Sequence, residues 1–354
     1  MTSSCYIHIP FCSNICSYCD FCKLYYNKKW IKPYLESLNK EIKEKYKGET
    51  IKTIYIGGGT PSCLTIEELK YLFNTINLLK TDIEEFTFEC NIEDINEQLL
   101  NFLKKTKVNR LSIGLESTKK KNLEYLGRKY LEDFEEKIQL ASKYYENINI
   151  DLIYGLKTET MQELEEDIEF LLKNKIKHIS TYSLIIEEHT KLRNEKNIDQ
   201  EIDYEMYKLI EQKLKKYNHY EVSNFALKGF ESKHNLVYWN NEQYYGFGLG
   251  ASGFINNIRY ENNKNILEYI KGNYVKEEII IDEITNMQNE MILGLRKLEG
   301  VNKNKFYLKY NKKIEEVFDI NKMITEKKLI DNGKFIYINK DYIYLSNEIL
   351  INFI

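Results

Sequence analysis

The sequence predicts an α/β fold, either a partial (β/α)6 barrel or an open doubly wound sheet. Six short runs of β-branched and aromatic residues recur before residue 190, with the length and composition typical of strands. Segments whose apolar residues follow helical spacing lie between these runs. Strands that alternate with helices form a parallel sheet, because each crossover returns the chain to the same end of the sheet.

The elements follow one another in a regular order. The predicted strands are SCYIHIP (4–10), TIYIGGG (53–59), EFTFEC (85–90), RLSIGLE (110–116), INIDLIYG (148–155) and HISTYSLII (178–186). The predicted helices between them are WIKPYLESLNKEIKEKY (30–46), TIEELKYLFNTINLL (65–79), DINEQLLNFLKK (94–105), DFEEKIQLASKYY (133–145) and ETMQELEEDIEFLLKN (159–174). Several of these helices open with Thr, Asp or Glu, as a capped helix does. In both architectures the active site lies at the carboxyl ends of the strands.

Length, charge and hydropathy exclude several classes of protein. The chain has 354 residues, enough for one large domain with an appendage or for two domains. Its net charge of −3, with both signs abundant, argues against nucleic acid as the main partner. The N-terminus lacks the pattern of a secretory signal, and no apolar run reaches the roughly 20 residues of a membrane helix. We therefore expect a cytoplasmic protein with reduced thiols and no transmembrane segment, which leaves room for peripheral contact with a membrane.

Chemically useful residues stand at the ends of five successive predicted strands. Three cysteines follow the first strand, GGGTPS (57–62) follows the second, Glu89 and Glu116 end the third and fourth, and Asp151 lies in the fifth. Because parallel strands bring these ends to one mouth, we expect a single site there. The three glycines remove side chains where a backbone must approach a ligand; the alternative is an ordinary tight turn between strand and helix.

The three cysteines, Cys12, Cys16 and Cys19, have the spacing CxxxCxxC. A closed structural zinc site needs four ligands, so three thiols either take a fourth from elsewhere or leave one position open. Cys22 could complete an all-thiolate zinc site. Three thiolates also hold a cubane iron–sulfur cluster in which one iron is left for an outside ligand. The spacing alone leaves both readings open.

Several motifs, taken together and in order, carry a family resemblance. They are YIHIPFCSNICSYC (6–19), GGGTPS (57–62), ECN (89–91), RLSIGLES (110–117), LGR (126–128) and NIDLIYGL (149–156). In this set and order they resemble the radical SAM proteins, and within them the group related to the oxygen-independent coproporphyrinogen III oxidase. The segment EMILGLRKLEGV (290–301) is similar to the C-terminal domain of that group. The zinc reading is much less favoured once these companions are counted.

The resemblance implies an architecture and a set of ligands. It implies a radical SAM partial (β/α)6 barrel over residues 1–225 and a smaller C-terminal mixed α/β domain over 226–354. The three cysteines would bind a [4Fe-4S] cluster whose fourth iron takes S-adenosylmethionine. Matched to the motifs, the residues that would surround the cluster and the cofactor are Tyr6, Tyr18, Gly58, Gly59, Thr60, Glu89, Glu116, Arg128 and Asp151. The carboxylates suit ribose hydroxyls, and Arg128 suits the methionine carboxylate.

The sequence departs from the family pattern in three places. Glu116 stands where related proteins usually carry Gln, which keeps an acceptor for a hydroxyl group and adds a charge. Lys157 stands where Pro is usual after YGL, which affects a turn more than a site. Cys22 adds a fourth thiol at a spacing of its own, and we expect it to be a spare thiol near the cluster.

A later segment bears on the function. Residues 220–254 resemble the heme chaperones of the same group, and their HNxxY motif is present from His234 to Tyr238. Histidine is a common axial ligand of heme iron, and a tyrosine four residues on could act from the same side. The alternative is a loop in which both side chains only bond to the backbone. A further histidine found in many relatives is replaced by Ser252.

The expected function is therefore that of a heme chaperone, which passes heme to an acceptor hemoprotein and draws on an electron donor for its cluster. Only five residues precede Tyr6, whereas the oxidase carries a long segment before its cluster motif, and this favours the chaperone. Two alternatives stay open: an oxygen-independent coproporphyrinogen III dehydrogenase that oxidatively decarboxylates two propionates, and a radical SAM enzyme that acts on another substrate.

Overall fold

A computed structural model describes residues 2–354 and contains one large sheet and three small ones. The strands are β1 (Ser4–Ile9), β2 (Phe11–Cys12), β3 (Leu24–Tyr25), β4 (Ile51–Gly58), β5 (Thr81–Asn91), β6 (Arg110–Glu116), β7 (Asn147–Tyr154), β8 (His178–Ser183), β9 (Asn218–Glu221), β10 (Asn224–Ala226), β11 (Tyr245–Phe247), β12 (Ser252–Ile255), β13 (Ile258–Asn262), β14 (Val275–Ile280), β15 (Val301–Asn302), β16 (Leu329–Asp331) and β17 (Phe335–Ile338). The helices are α1 (Lys28–Lys45), α2 (Ile66–Ile76), α3 (Glu97–Lys104), α4 (Lys120–Tyr125), α5 (Phe134–Tyr144), α6 (Met161–Lys173), α7 (Gln200–Lys213), α8 (Lys233–Trp239), α9 (Ile266–Ile270), α10 (Glu283–Gly294), α11 (Lys303–Tyr310), α12 (Ile314–Val317), α13 (Asn321–Thr325) and α14 (Ser346–Leu350).

The large sheet has nine strands in the order β11-β1-β4-β5-β6-β7-β8-β10-β9. All pairs from β11 to β8 are parallel, and β10 and β9 continue the sheet antiparallel. The six strands predicted from the sequence form the middle of this sheet, and the five predicted helices are present between them. The α/β prediction and the parallel sheet are thus confirmed, and helices line the crossovers as a partial barrel requires.

The local sequence explains why these elements form. Strand β1 buries alternate residues completely, namely Cys5, Ile7 and Ile9. The neighbouring strands of the sheet are also buried, as expected for a parallel sheet whose face is covered by helices. Helices α2 and α6 each begin with a capping box, in which Thr65 and Thr160 accept a backbone N–H three residues on. The caps predicted from sequence therefore set where both crossover helices start.

The C-terminal part of the chain adds two antiparallel sheets, β12-β13-β14 and β15-β17-β16. The division at residue 225 stays a prediction. Beyond it, β11 returns to the large sheet and pairs in parallel with β1, with Cys5 opposite Tyr245. Helix α8 also lies against β4 and β5. Among residues 2–354, no helix is both long and apolar enough to cross a bilayer.

Candidate cofactor site at the barrel mouth

The carboxyl ends of β1 and β4–β7 meet around a cavity of about 140 Å³. Most of the residues expected to bind the cluster and the cofactor line it, namely Cys12, Cys16, Tyr18, Cys19, Gly58, Gly59, Thr60, Glu89, Glu116, Arg128 and Asp151. These residues come from five strands and from the loops that follow them. The structure therefore brings together, at one end of the sheet, residues that are far apart in the sequence. Cys12 and Asp151, for example, are separated by 139 positions.

The three thiols lie on the loop that follows β1. The loop is closed at its base, because β2 and β3 pair in parallel with Cys12 opposite Tyr25. It is pinned to the LGR segment by a hydrogen bond from the Ser17 N–H to the Leu126 carbonyl, 2.8 Å long. Cys12 is buried and its sulfur accepts from the Thr60 hydroxyl at 3.6 Å.

Three thiols on one loop suit a cubane cluster, in which one iron is left for an outside ligand. A zinc ion needs every ligand within about 2.3 Å of one point, whereas each thiolate of a cubane cluster binds a different iron. Burial raises the pKa of the Cys12 thiol to about 11, so a bound metal must displace its proton.

The glycine loop packs too closely for side chains. Gly58 has φ +108°, a left-handed conformation, and a Cβ there would collide with the His8 ring. A Cβ on Gly59 would stand 2.7 Å from the Ile9 carbonyl oxygen, to which the Gly59 N–H donates at 2.8 Å. The Thr60 N–H donates to the Phe11 carbonyl at 2.7 Å. The loop is thus tied along β1 and the cluster loop, and presents a bare backbone to the cavity.

Glu89 lies between the glycine loop and the barrel interior. Its carboxylate accepts from the Tyr55 hydroxyl at 2.6 Å and from the Gly58 N–H at 3.0 Å. Burial raises the pKa of Glu89 to about 7, although both hydrogen bonds act in the other direction. Close to neutral pH this group can therefore either accept or donate a hydrogen bond.

Arg128 is at the centre of a buried polar cluster. Its Nη2 donates to Oε1 of Glu116 at 2.7 Å, and its Nε donates to the Tyr18 hydroxyl at 3.3 Å. Tyr18 donates in turn to Glu116 at 3.2 Å. Burial raises the pKa of Glu116 to about 7, while the nearby Arg128 charge lowers it. Glu116 itself has φ +67°, so the end of β6 turns its carboxylate toward the cavity in a conformation rare for non-glycine residues.

The sequence analysis missed several polar partners at this mouth. Asn149 donates to Asp151 at 2.9 Å and to Ser112 at 2.8 Å, and burial raises the pKa of the Asp151 carboxyl. Asn91 donates to the Thr60 hydroxyl at 3.2 Å. The signal for two of these was available: Asn149 precedes Asp151 by two residues and Asn91 follows Glu89 by two, and positions two apart on a strand share a face.

A second, larger cavity of about 820 Å³ adjoins the first and shares Phe21, Lys23, Gly58 and Glu89 with it. Tyr6 lines this larger space rather than the smaller one. Its hydroxyl is 2.9 Å from Nδ1 of His8.

The spare thiol expected from the sequence, Cys22, also lines the larger cavity. Its carbonyl oxygen is 2.7 Å from Nε2 of His8, so both ring nitrogens of His8 have partners. A Cβ on Gly250 would stand 2.7 Å from Cβ of Cys22, which shows how closely the C-terminal region packs against this end of the cluster loop.

The HNxxY motif forms the first turn and a half of α8. His234 is fully buried, and its Nδ1 is 2.9 Å from the Thr53 hydroxyl while its Nε2 is 2.8 Å from the Tyr238 hydroxyl. Tyr238 stands in front of it and lines the larger cavity. Burial lowers the pKa of His234 to about 3, so the ring is neutral. The axial role expected for His234 stays a prediction, and direct ligation requires the Tyr238 hydroxyl to leave the ring.

Comparisons with known proteins agree with this geometry. The sequence profile of the Radical SAM superfamily matches residues 6–171. The structure superposes on that of coproporphyrinogen III oxidase (HemN) from Escherichia coli with a TM-score of 0.87, covering 99% of this chain and 89% of that one at 18% identity. That likeness concerns the fold alone. The family match and the fold together define a radical SAM protein.

Two curated relatives align over nearly the whole chain. The heme chaperone HemW of Lactococcus lactis is 38% identical and covers 99% of this chain and 97% of its own. The heme chaperone HemW of Bacillus subtilis is also 38% identical, with 98% and 97% covered. The chain belongs to the heme chaperone HemW family. A [4Fe-4S] cluster and S-adenosylmethionine follow from the superfamily, and the thiols, bare glycine loop and buried carboxylates described above fit both.

Proposed function

We propose that this protein is a heme chaperone that binds a [4Fe-4S] cluster, S-adenosylmethionine and heme, and passes heme to an acceptor hemoprotein. The observation that carries the proposal is the 38% identity to two heme chaperones along essentially the full length of each chain. Full-length similarity includes the HNxxY segment and the C-terminal sheets, and so extends well beyond the barrel that all radical SAM proteins share.

In this proposal the cluster lies at the smaller cavity, and the cofactor extends from it into an adjoining cavity of about 280 Å³ that shares Tyr18, Glu89, Glu116 and Asp151 with it. Cys12, Cys16 and Cys19 hold three irons, and the bare backbone at Gly58 and Gly59 takes the amino end of the cofactor. Bound together, the two groups would supply one-electron chemistry, with the electron coming from a donor in the cytoplasm. The protein binds the cluster and the cofactor, excludes water from them, and positions the buried carboxylates to accept hydrogen bonds from hydroxyl groups.

The larger cavity supports a heme site. Its volume of about 820 Å³ lies within the range of pockets that enclose a compact organic ligand. Aromatic rings from several elements line it, among them Tyr6, Phe21, Tyr55, Tyr238 and Tyr244. Flat apolar side chains suit the faces of a macrocycle, and the shared wall places this cavity directly against the cofactor site.

We further propose that His234 and Tyr238 act as a unit at this cavity. Tyr238 is at the wall and its hydroxyl is held by the His234 ring, which in turn is held by Thr53. An iron bound at this wall can take its ligand from the pair, through the phenol oxygen or, after displacement of Tyr238, through the imidazole.

The coproporphyrinogen III dehydrogenase remains the second candidate, because the motifs at the barrel mouth also resemble those of the oxygen-independent coproporphyrinogen III oxidase group. One experiment separates the two functions. The anaerobically reconstituted protein is titrated with heme, and it is then incubated with coproporphyrinogen III, S-adenosylmethionine and a reductant. The chaperone binds heme at micromolar concentration and leaves coproporphyrinogen III unchanged. Conversion of coproporphyrinogen III to protoporphyrinogen IX, with no heme bound, would overturn the proposal.

A further inference from the structure

One histidine differs from the others in its surroundings. The chain has five histidines, and four are buried or half-buried with at least one ring nitrogen in a hydrogen bond: His8, His178, His219 and His234. His189 is exposed, and it lies in the loop that follows β8. This loop had no predicted role, and yet it places an imidazole on the wall of the larger cavity.

The surroundings of His189 are those of a ligand site rather than of a surface loop. The cavity that it lines also carries Phe21, which is 69% exposed although it is a large apolar side chain. Ile185, four residues before His189, is 65% exposed and lines an adjoining cavity of about 280 Å³ that shares Phe21 and Tyr55 with the larger one. Apolar side chains left open beside a cavity of about 820 Å³ indicate a ligand with an extended apolar surface.

Several side chains at this cavity carry an atom that heme iron accepts, namely the Cys22 thiol, the phenols of Tyr6, Tyr55, Tyr238 and Tyr244, and the imidazoles of His8 and His189. Both ring nitrogens of His8 already have partners. Thiol and phenol bind iron after losing a proton, and burial raises the pKa of both groups. The Tyr238 hydroxyl is also already bonded to His234. A neutral imidazole binds through its free lone pair with no proton to lose.

Resting on the proposed heme-binding function, we propose that His189 supplies an axial nitrogen to the iron of heme in the larger cavity. The loop after β8 would then contact the bound heme from the side that faces solvent. The other axial position is left to the His234–Tyr238 pair or to a ligand of the acceptor. The His189 side chain is exposed, so it can turn away from the iron while the loop stays bonded to the cluster loop, where the Lys191 and Leu192 N–H groups donate to the Ser17 carbonyl. A ligand of this kind suits a protein that must release its heme.

The test is heme titration of the reconstituted full-length protein, with the ferric Soret band and the dissociation constant as readouts. His189→Ala should shift the Soret band and weaken heme binding roughly tenfold or more, which corresponds to the loss of about 1.4 kcal/mol. Added imidazole should restore the wild-type Soret position in His189→Ala. Glu188→Ala, in the same exposed loop, is the matched control and should behave as the wild type. Because both residues are exposed, cluster iron content should be unchanged in either variant.

Two results would overturn the inference in distinguishable ways. A wild-type Soret band and affinity in His189→Ala, with the shift appearing instead in Cys22→Ser or Tyr238→Phe, would overturn this assignment and leave the chaperone function intact. Absence of heme binding by the wild-type protein would overturn the proposed function and the assignment together.

Discussion

Nη2 of Arg128 and Oε1 of Glu116 are 2.7 Å apart inside the cofactor cavity, and both side chains are almost fully buried. The guanidinium expected to take the methionine carboxylate is thus already paired with a carboxylate of the protein. A guanidinium group can donate to two acceptors at once. Cofactor binding therefore requires Glu116 either to share the Arg128 guanidinium with the methionine carboxylate or to be displaced from it. The negative charge of Glu116 therefore competes with the cofactor for Arg128, and an uncharged Gln at the same position would not compete in this way.

Glu116→Gln should tighten S-adenosylmethionine binding above pH 7 and flatten its pH dependence. With the pKa of Glu116 near 7, the wild-type carboxyl is protonated at pH 6 and releases Arg128, whereas at pH 8 it is ionised and competes for it. Wild-type affinity should accordingly fall between pH 6 and pH 8. Calorimetric titration of the reconstituted protein at both pH values measures this, with Glu124→Gln on the exposed face of α4 as control. Weaker binding by Glu116→Gln at pH 8 would contradict the competition.

Changing Cys12, Cys16 or Cys19 to Ala should abolish the broad visible absorption of the reconstituted protein, because each thiolate holds one iron. Cys22→Ala is the matched control on the same loop and should retain the absorption and the iron content. Stoichiometric zinc with no iron, in protein purified without oxygen, would show that the site is of another kind.

Gly58→Val should weaken S-adenosylmethionine binding by about 10²-fold or more, since a misplaced contact at a positioned site has a cost of this order. The side chain would collide with His8 and push the loop off the cavity wall. Gly229→Val is the matched control: Gly229 has φ +90° and open space around it, so it shares the backbone strain without the collision. If both variants lose binding equally, backbone strain alone explains the effect, and the collision of the new side chain with His8 does not.

Glu89 should make the protein less stable as the pH rises from 4.5 to 7. The folded-state pKa of about 7 lies above the usual 4.5, so over this window the folded chain holds a proton that the unfolded chain has lost. The free energy of unfolding then falls with pH, by up to about 1.4 kcal/mol per pH unit for one proton. Urea unfolding of cluster-free Glu89→Gln should show a correspondingly shallower fall.

Glu84 is the matched control for that measurement, because it lies on the same strand, β5, but is paired with Lys52 and Lys233 at the surface. Hydrogen bonds from both lysines lower its pKa, so its contribution to stability is present at neutral pH and is lost as the pH falls. That loss occurs below pH 4.5, so Glu84→Gln should leave the slope between pH 4.5 and 7 as it is in the wild type. Equal slopes in all three proteins would show that the Glu89 carboxyl titrates normally.

The sequence predicted the parallel sheet and the mouth well because both depend on local patterns. Runs of β-branched residues indicate strands. A polar residue at the carboxyl end of a parallel strand lies at the mouth of the barrel irrespective of how the helices pack. Strand β11 could not be predicted in this way, since three residues carry no periodicity and their pairing with β1 joins Cys5 to Tyr245. The same is true of the contact between His234 and Thr53, which are 181 positions apart, and of His189, which is in a loop without any pattern.

The His234–Tyr238 pair can be separated by substitution at each residue. His234→Ala should remove the ring that orders the Tyr238 hydroxyl and should weaken or shift the Soret band of the heme-loaded protein. Cluster iron and S-adenosylmethionine binding should stay unchanged, because neither His234 nor Tyr238 lines the smaller cavity. Tyr238→Phe keeps the ring and removes one hydroxyl, so it should weaken heme binding less if the imidazole is the ligand, and as much if the phenol is.

His219→Ala is the comparison variant, because His219 is stacked on Phe225 with its Nε2 bonded to a backbone carbonyl, away from both cavities. Its Soret band should match that of the wild type. Since removal of a buried, fully bonded ring can also loosen the core, thermal unfolding of each variant is measured beside the spectrum. A Soret band that follows only the melting temperature across the three variants, and not the identity of the residue, would mean that the pair supports the fold and does not contact heme.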